Sequence, residues 1–289
     1  MVGQRRRATA PPALASPMSS DRDRGPSHRG DLLLVIGVCA WILLGTWLDA
    51  DGSLARQRLI GAATWLLVVA AVARERPAQR FQIVAALVIA TVGEFVCSLA
   101  LGLYEYRLAN VPSYVPPGHG LVYLAAINLA RGALHGRLGD AMRWMTLIGG
   151  GAWALWGVTW APRHDSFGLV LYLAFAGFVL FGGSPHMYVA AYLLTTYLEL
   201  VGTGFGNWRW APETAGALFT MGNPPTGIPG AYCVLDLGSL WGGWAVYRWW
   251  RAWRLGRWCR RYGALVGGSP PGGGAAPGGG TGVLATTAP

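Results

Sequence analysis

The stretches EFVCSLALGLYEYR (residues 94–107) and ELVGTGFGNWRW (residues 199–210) share one pattern, in which a glutamate is followed by glycine and then by alternating aromatic residues. Each glutamate lies within an apolar run that is long enough to span a bilayer. An ionisable side chain at membrane depth costs about 2.5 kcal/mol or more, so it usually marks a functional site. Two such glutamates in matching context predict a duplicated membrane protein with a site between its halves.

The composition supports a membrane class. Hydrophobic residues make up 53% of the 289 residues, charged residues only 12%, and the mean hydropathy is +0.36. These values are too apolar for a soluble domain of this size. We therefore predict an all-α, polytopic membrane helix bundle. Its eight transmembrane helices follow the apolar runs at about 31–49, 57–73, 81–103, 118–134, 142–160, 166–183, 185–205 and 227–250.

The basic residues predict the orientation of these helices. All 23 of them are arginines. If the amino terminus is cytoplasmic, eighteen arginines fall in cytoplasmic segments and five on the opposite side, as the positive-inside rule requires for eight spans. Both termini are therefore predicted to be cytoplasmic, with the protein integral to the plasma membrane. The net charge of +10 is predicted to face anionic lipids and not nucleic acid.

The repeat and the flanking compositions predict five segments. An even number of spans separates the two glutamates, so the first half (31–135) and the second half (136–250) are expected to share one orientation. A leader rich in Arg, Pro and Ser (1–30) is predicted to be disordered. An Arg/Trp segment (251–262) is predicted to lie in the headgroup layer, and a Gly/Pro/Ala tail (263–289) is predicted to be disordered.

Four residues are predicted to carry the chemistry. Both glutamates lie roughly 20 Å from the predicted cytoplasmic ends of their helices, and Asp236 is expected at a similar depth. Desolvation favours the protonated form of a carboxyl group, which can then donate a proton while a neighbouring carboxylate accepts one. His119 begins the helix that follows the first signature and can transfer protons. The predicted catalytic residues are therefore Glu94, Glu199, Asp236 and His119.

The aromatic signatures are predicted to bind the substrate. Their ring faces can stabilise a developing positive charge, and the arginine in each signature can bind a phosphate or a carboxylate. The predicted binding residues are Tyr104, Tyr106, Arg107, Trp208, Arg209 and Trp210. The structural alternatives are an interfacial aromatic belt, arginines exposed to solvent, and glutamates that only hold helices together.

The segment from Glu199 to Trp210 resembles the glutamate and Phe-Gly-x-Tyr-x-Tyr pattern of the membrane carotenoid-biosynthesis proteins, which include carotenoid 1,2-hydratases. In this chain Trp208 and Trp210 replace the two tyrosines. The resemblance implies addition of water to a double bond of an isoprenoid, with Glu199 as the acid. The segment from Glu94 to His119 also resembles one in uncharacterised bacterial polytopic membrane proteins, and that resemblance implies no activity.

Three functions remain open at this point. The favoured one is an enzyme, such as a hydratase or a cyclase, that modifies a lipid or isoprenoid entering from the bilayer by acid-base chemistry. A transporter or channel for a small solute or a proton would also place carboxylates at a repeat interface. The third is a noncatalytic scaffold of a lipid pathway. We predict no metal and no cofactor, because the sequence contains no phosphate-binding loop, no H-E-x-x-H and no paired Asp-rich motif.

Overall fold

Eight α-helices account for most of the residues that the computed structural model describes, which are 28–132 and 137–266. They are α1 (His28–Asp49), α2 (Leu54–Val72), α3 (Pro77–Glu94), α4 (Val115–Arg131), α5 (Arg137–Thr159), α6 (Ser166–Phe181), α7 (Pro185–Gly204) and α8 (Ala231–Val266). Each helix overlaps one predicted apolar run, so the prediction of a mostly helical chain with eight helices is confirmed for these residues. The predicted leader and tail lie outside the described residues, except that residues 28–30 begin α1 and residues 263–266 end α8.

Local sequence explains where several helices begin. Proline stands in the first turn of α3, α4 and α7, where its missing N–H costs no hydrogen bond. Ser53 caps α2 by accepting a hydrogen bond from the N–H of Arg56, and Asp165 caps α6 by accepting one from the N–H of Gly168. These caps satisfy N–H groups that have no partner within their own helix.

Among the described residues, three helices are long and apolar enough to cross a membrane, judged by length and composition. They are Gly30–Asp49, Leu54–Val72 and Pro77–Ala100. Helix α6 is also apolar but has only 16 residues. Large apolar side chains point outward from the helices, and Leu66 is 73% exposed and Phe181 88% exposed. An outward apolar surface of this kind is typical of contact with lipid or with a partner protein.

Helices α4 and α7 form the centre of the bundle. Helices α1, α2, α3 and α7 all pack against α4, and α7 also contacts α1, α5 and α6. Most side chains of α4 are buried. Little of this helix faces outward. Its polar residues His119 and Asn128 are therefore buried among the neighbouring helices. The two central helices carry His119 and Glu199.

Helix α8 extends beyond its predicted end. The chain divides into two compact units between Tyr247 and Arg248, and the helix continues in the second unit to Val266. The predicted Arg/Trp segment is therefore part of this helix. Arg254 lies over the ring of Trp250 at 4.8 Å, and Arg257 lies over the ring of Trp253 at 4.5 Å. Such contacts join residues one helical turn apart and favour continuation of the helix.

The buried Asp165 anchors the loop that precedes α8. Its carboxylate accepts hydrogen bonds from the N–H of Gly168, from the N–H of Gly222, and from both the N–H and the hydroxyl of Thr226. Asp165 is 1% exposed. These four bonds hold the loop from Gly222 to Thr226 against the start of α6. No role for this aspartate was predicted from the sequence.

Replacing Asp165 with alanine should lower the free energy of unfolding by about 2 kcal/mol, because buried backbone donors lose their acceptor. Thermal unfolding of the purified protein in detergent measures the change. Asp51→Ala is a matched control, since Asp51 is 86% exposed and, among the described residues, pairs only with Arg56 at the surface, where an ion pair contributes little. Equal stability of the two variants would contradict the anchoring role.

Candidate active site

The two aromatic signatures form a two-stranded antiparallel ribbon, an element that the all-α prediction did not include. Strand β1 is Tyr104–Tyr106 and strand β2 is Trp208–Trp210. Tyr104 pairs with Trp210, Glu105 with Arg209, and Tyr106 with Trp208. Alternate side chains of a strand point to opposite faces. The four aromatic side chains are buried on one face of the ribbon, and Glu105 and Arg209 are exposed on the other.

Glu94, the last residue of α3, accepts hydrogen bonds from three side chains. The hydroxyls of Tyr104 and Tyr106 both donate to its Oε2 at 2.6 Å. Nε2 of His119 lies 2.8 Å from its Oε1. On its other side, Nδ1 of His119 lies 3.3 Å from the hydroxyl of Tyr232. Glu94 and His119 therefore form a carboxylate and imidazole pair in which the histidine is held from both sides.

Glu199, within α7, is bound by the tryptophans of the other strand. The indole Nε1–H groups of Trp208 and Trp210 donate to its Oε2 at 3.0 and 3.1 Å. Glu199 is 7% exposed. Among the described residues no side chain donates a hydrogen bond to its Oε1. Glu199 thus differs from Glu94, because neutral indole groups are its partners and one carboxyl oxygen remains available.

The two halves of the ribbon use one geometry. In each, a glutamate near the end of a helix is bound by the two aromatic side chains of the strand that follows. Gly102 and Gly206 stand two residues before their strands with φ of 60° and 73°, a conformation that glycine adopts without strain. The segment between the glutamate and the strand is one residue longer in the first half than in the second. The π-helical turn Phe95–Ala100 accommodates the additional residue, and such turns often occur at functional sites.

One cavity of about 550 Å³ contains most of the predicted site. Glu94, His119, Glu199 and the four ribbon aromatics line it. The rest of its wall is mainly apolar and includes Trp41, Ile60, Ile89, Leu121, Leu171 and Leu198. Tyr232, which the sequence analysis did not select, lines it as well. Tyr232 follows Pro229 and Gly230 closely, as His119 follows Pro117 and Gly118, and this similarity was a sequence signal that could have indicated it.

Three predicted site residues lie outside this cavity lining. Asp236 accepts a hydrogen bond from the hydroxyl of Tyr123 at 2.7 Å, and its Oδ2 is buried without a partner among the described residues. Nη2 of Arg107 donates to the carbonyl of Gly52 at 2.5 Å and lies 3.4 Å from Oδ1 of Asp49. Arg209 is on the outer face of the ribbon, opposite Glu105. Arg107 and Arg209, the arginines of the two signatures, therefore occupy different positions relative to the ribbon.

Asp49, at the end of α1, holds the ribbon in place through its carboxylate. It was not among the predicted site residues. It is fully buried. Besides Arg107, its carboxylate accepts hydrogen bonds from the hydroxyl of Tyr114 at 2.8 Å and from the amide of Asn207 at 3.1 Å. Asn207 directly precedes β2 and Arg107 directly follows β1, so one carboxylate holds both strands. Burial, then the charge of Asp49, raises the pKa of Tyr114, which keeps this hydroxyl a donor.

The two tyrosines of β1 are expected to make stability fall at alkaline pH. Burial, followed by the charge of Glu94, raises the pKa of Tyr104 and of Tyr106 above the usual value. Above about pH 10 an unfolded tyrosine loses its proton, whereas these two keep theirs while the protein is folded. Unfolding then releases protons, so the free energy of unfolding decreases as the pH rises.

The thermal unfolding temperature of the wild type should therefore fall between pH 10 and 11.5 more steeply than that of a Tyr104→Phe/Tyr106→Phe variant. Measurement at pH 8, where tyrosines are neutral in both states, supplies the baseline for each protein. Parallel curves for the two proteins at alkaline pH would exclude a raised pKa at these hydroxyls.

Within residues 28–132 and 137–266, no three His, Cys, Asp or Glu side chains come together in a group that could hold a metal ion. Comparison of the chain with protein-family models, with curated proteins and with solved structures found no match.

Proposed function

We propose that this chain is an integral membrane enzyme that protonates a carbon–carbon double bond of an isoprenoid or a similarly apolar lipid. One observation carries the proposal. Two carboxyl groups with different partners, Glu94 beside His119 and Glu199 beside two indoles, line a single cavity whose other walls are mainly apolar. Enzymes that transfer protons typically place an acid and a base at one apolar site and give the two groups different surroundings.

Glu199 is the proposed proton donor. Its Oε2 accepts two indole N–H groups and its Oε1 has no side-chain donor among the described residues, so a proton on Oε1 can reach a substrate in the cavity. Transfer of that proton to one alkene carbon forms a C–H bond from the π electrons and leaves a carbocation at the other carbon. Glu199 remains as the carboxylate.

Glu94 and His119 are the proposed base. The pair can take a proton from water while the water oxygen bonds to the cation, which completes a hydration. The pair can also take a proton from a carbon next to the cation, which completes an isomerisation or a cyclisation. In both cases the proton returns to Glu199 before the next cycle. The reaction therefore consumes no protons other than those of the water that is added in the hydration. The likeness to carotenoid 1,2-hydratases favours the first outcome.

The ribbon aromatics are the proposed walls of the cation site. Tyr104 and Trp210 have ring centroids 4.7 Å apart, and Tyr106 and Trp208 are 6.0 Å apart. Aromatic faces attract a positive charge by about 1–2 kcal/mol when water is excluded. The phenol and indole hydrogens all point to carboxylate oxygens. The rings are therefore fixed in place in the wall of the cavity.

The proposed topology is the eight-span arrangement in the plasma membrane, with both termini cytoplasmic. In the part of the chain that the structure describes, three helices meet the length and hydropathy criteria by themselves. The remaining helices include α4, whose burial within the bundle removes the need for an apolar outer side. The matching geometry at Glu94 and Glu199 favours a duplication. The even number of proposed spans between the two glutamates makes it a parallel one.

The test compares lipid extracts of cells with and without this chain by mass spectrometry. Appearance of a product heavier than its precursor by one water supports hydration, and an isomer of unchanged mass supports cyclisation or isomerisation. The extracts could instead be unchanged while proteoliposomes that contain the protein take up a solute together with protons. That result would favour a transporter over an enzyme. Unchanged extracts without uptake would favour a scaffold.

A further inference from the structure

A second cleft, of about 500 Å³, lies on the outer face of the ribbon. We call it the outer cleft, and its charged lining residues are Glu105, Arg163 and Arg209. None of these three lines the apolar cavity. Tyr104, Tyr106 and Trp210 line both spaces, so the ribbon is the wall between them.

The outer cleft contains two cations that are close enough to affect each other. Burial, followed by the charge of Arg209, lowers the pKa of Arg163. Nη2 of Arg163 donates to the carbonyls of Trp210 and Ala211, which places this side chain against the end of β2. Its Nε is buried and has no acceptor among the described residues. Arg163 and Arg209 both line the cleft, so their guanidinium groups are the donors that a ligand there would meet.

Glu105 does not neutralise the two arginines. It is opposite Arg209 in the ribbon, yet their side chains form no ion pair or hydrogen bond with each other or with any other described residue. The lining of the cleft carries one carboxylate against two guanidinium groups and is therefore net positive, while the buried Asp165 behind it also acts on Arg163. Guanidinium groups bind phosphate and carboxylate oxygens through several charge-assisted hydrogen bonds.

We propose that the outer cleft binds a phosphate group through Arg163 and Arg209. This binding does not require the acid-base chemistry of the apolar cavity, since the charged residues of the two spaces differ. The phosphate can belong to a lipid headgroup or can be free in solution, and the same arginines would recognise both. Glu105 weakens the affinity of this site by its charge and limits it to anions that tolerate a neighbouring carboxylate.

The test uses the purified full chain in detergent and two probes at constant ionic strength, namely inorganic phosphate and a short-chain phosphatidic acid. Arg209→Gln should weaken binding roughly tenfold, because it removes charge-assisted hydrogen bonds. Glu105→Gln should strengthen binding, because it removes the opposing charge. Arg56→Gln is the matched control, as Arg56 is paired with Asp51 and does not line the cleft.

The two probes distinguish the sources. Binding of both probes supports a site for any phosphate group, and binding of phosphatidic acid alone supports a lipid headgroup site. Either result supports the proposal only if Arg209→Gln weakens binding and Glu105→Gln strengthens it. Absence of binding by both probes, or equal affinities of Arg209→Gln and Arg56→Gln, would overturn the proposal and leave the acid-base proposal untouched.

Discussion

Replacing Glu199 with glutamine is expected to reduce product formation by about 10² to 10⁴-fold, the usual contribution of a general acid. Glutamine keeps a carbonyl oxygen that can accept the indole N–H groups of Trp208 and Trp210, but it has no acidic proton. The amount of protein in the membrane and its thermal unfolding should therefore change little. Mass spectrometry of lipid extracts from cells that express each variant measures the product.

Glu213→Gln is the matched control, because Glu213 is an exposed glutamate that does not line the cavity. Glu94→Gln is the companion variant and should also lose activity, since the imidazole of His119 would face an amide in place of a carboxylate. Full activity of Glu199→Gln, with unchanged folding, would restrict Glu199 to a structural role as the acceptor of two indole groups.

The composition and the apolar runs were sufficient to predict the helices, because long apolar segments leave few alternatives to a helix in a membrane protein. The glutamates could also be predicted, since a carboxyl group in an apolar helix is costly and needs a reason. His119 followed from its place after Pro117 and Gly118. Each of these inferences depends only on residues that are near one another in the chain.

The contacts within the site could not be predicted, because they depend on how distant segments meet. Three-residue strands such as Tyr104–Tyr106 are too short for an alternating pattern to be recognised. Depth along a helix does not determine which way a side chain faces. Asp236 was therefore placed in the cavity by its depth, whereas its partner is Tyr123. Arg107 was matched to Arg209 by its sequence neighbourhood, although the strand register pairs Arg209 with Glu105.

Gly202→Ala is expected to have the largest effect on folding. A Cβ atom at position 202 would overlap Cη2, Cζ3 and Cζ2 of the Trp208 ring, and Trp208 is 7% exposed, so the ring has little space to move into. Overpacking of this kind costs up to about 3 kcal/mol and sometimes more. Thermal unfolding in detergent should show the loss. Displacement of Trp208 would also break its hydrogen bond to Glu199, so activity should decrease as well.

Gly204→Ala is the matched control on the same helix, since a Cβ atom at position 204 would meet nothing within 4 Å. Alanine is favoured over glycine in helices by about 1 kcal/mol, so this variant should be at least as stable as the wild type. Equal losses in both variants would contradict overlap with the Trp208 ring as the cause, because only position 202 contacts that ring. A loss confined to Gly202→Ala would instead assign this glycine to the site, where it lets the Trp208 ring fold back over α7 and reach Glu199.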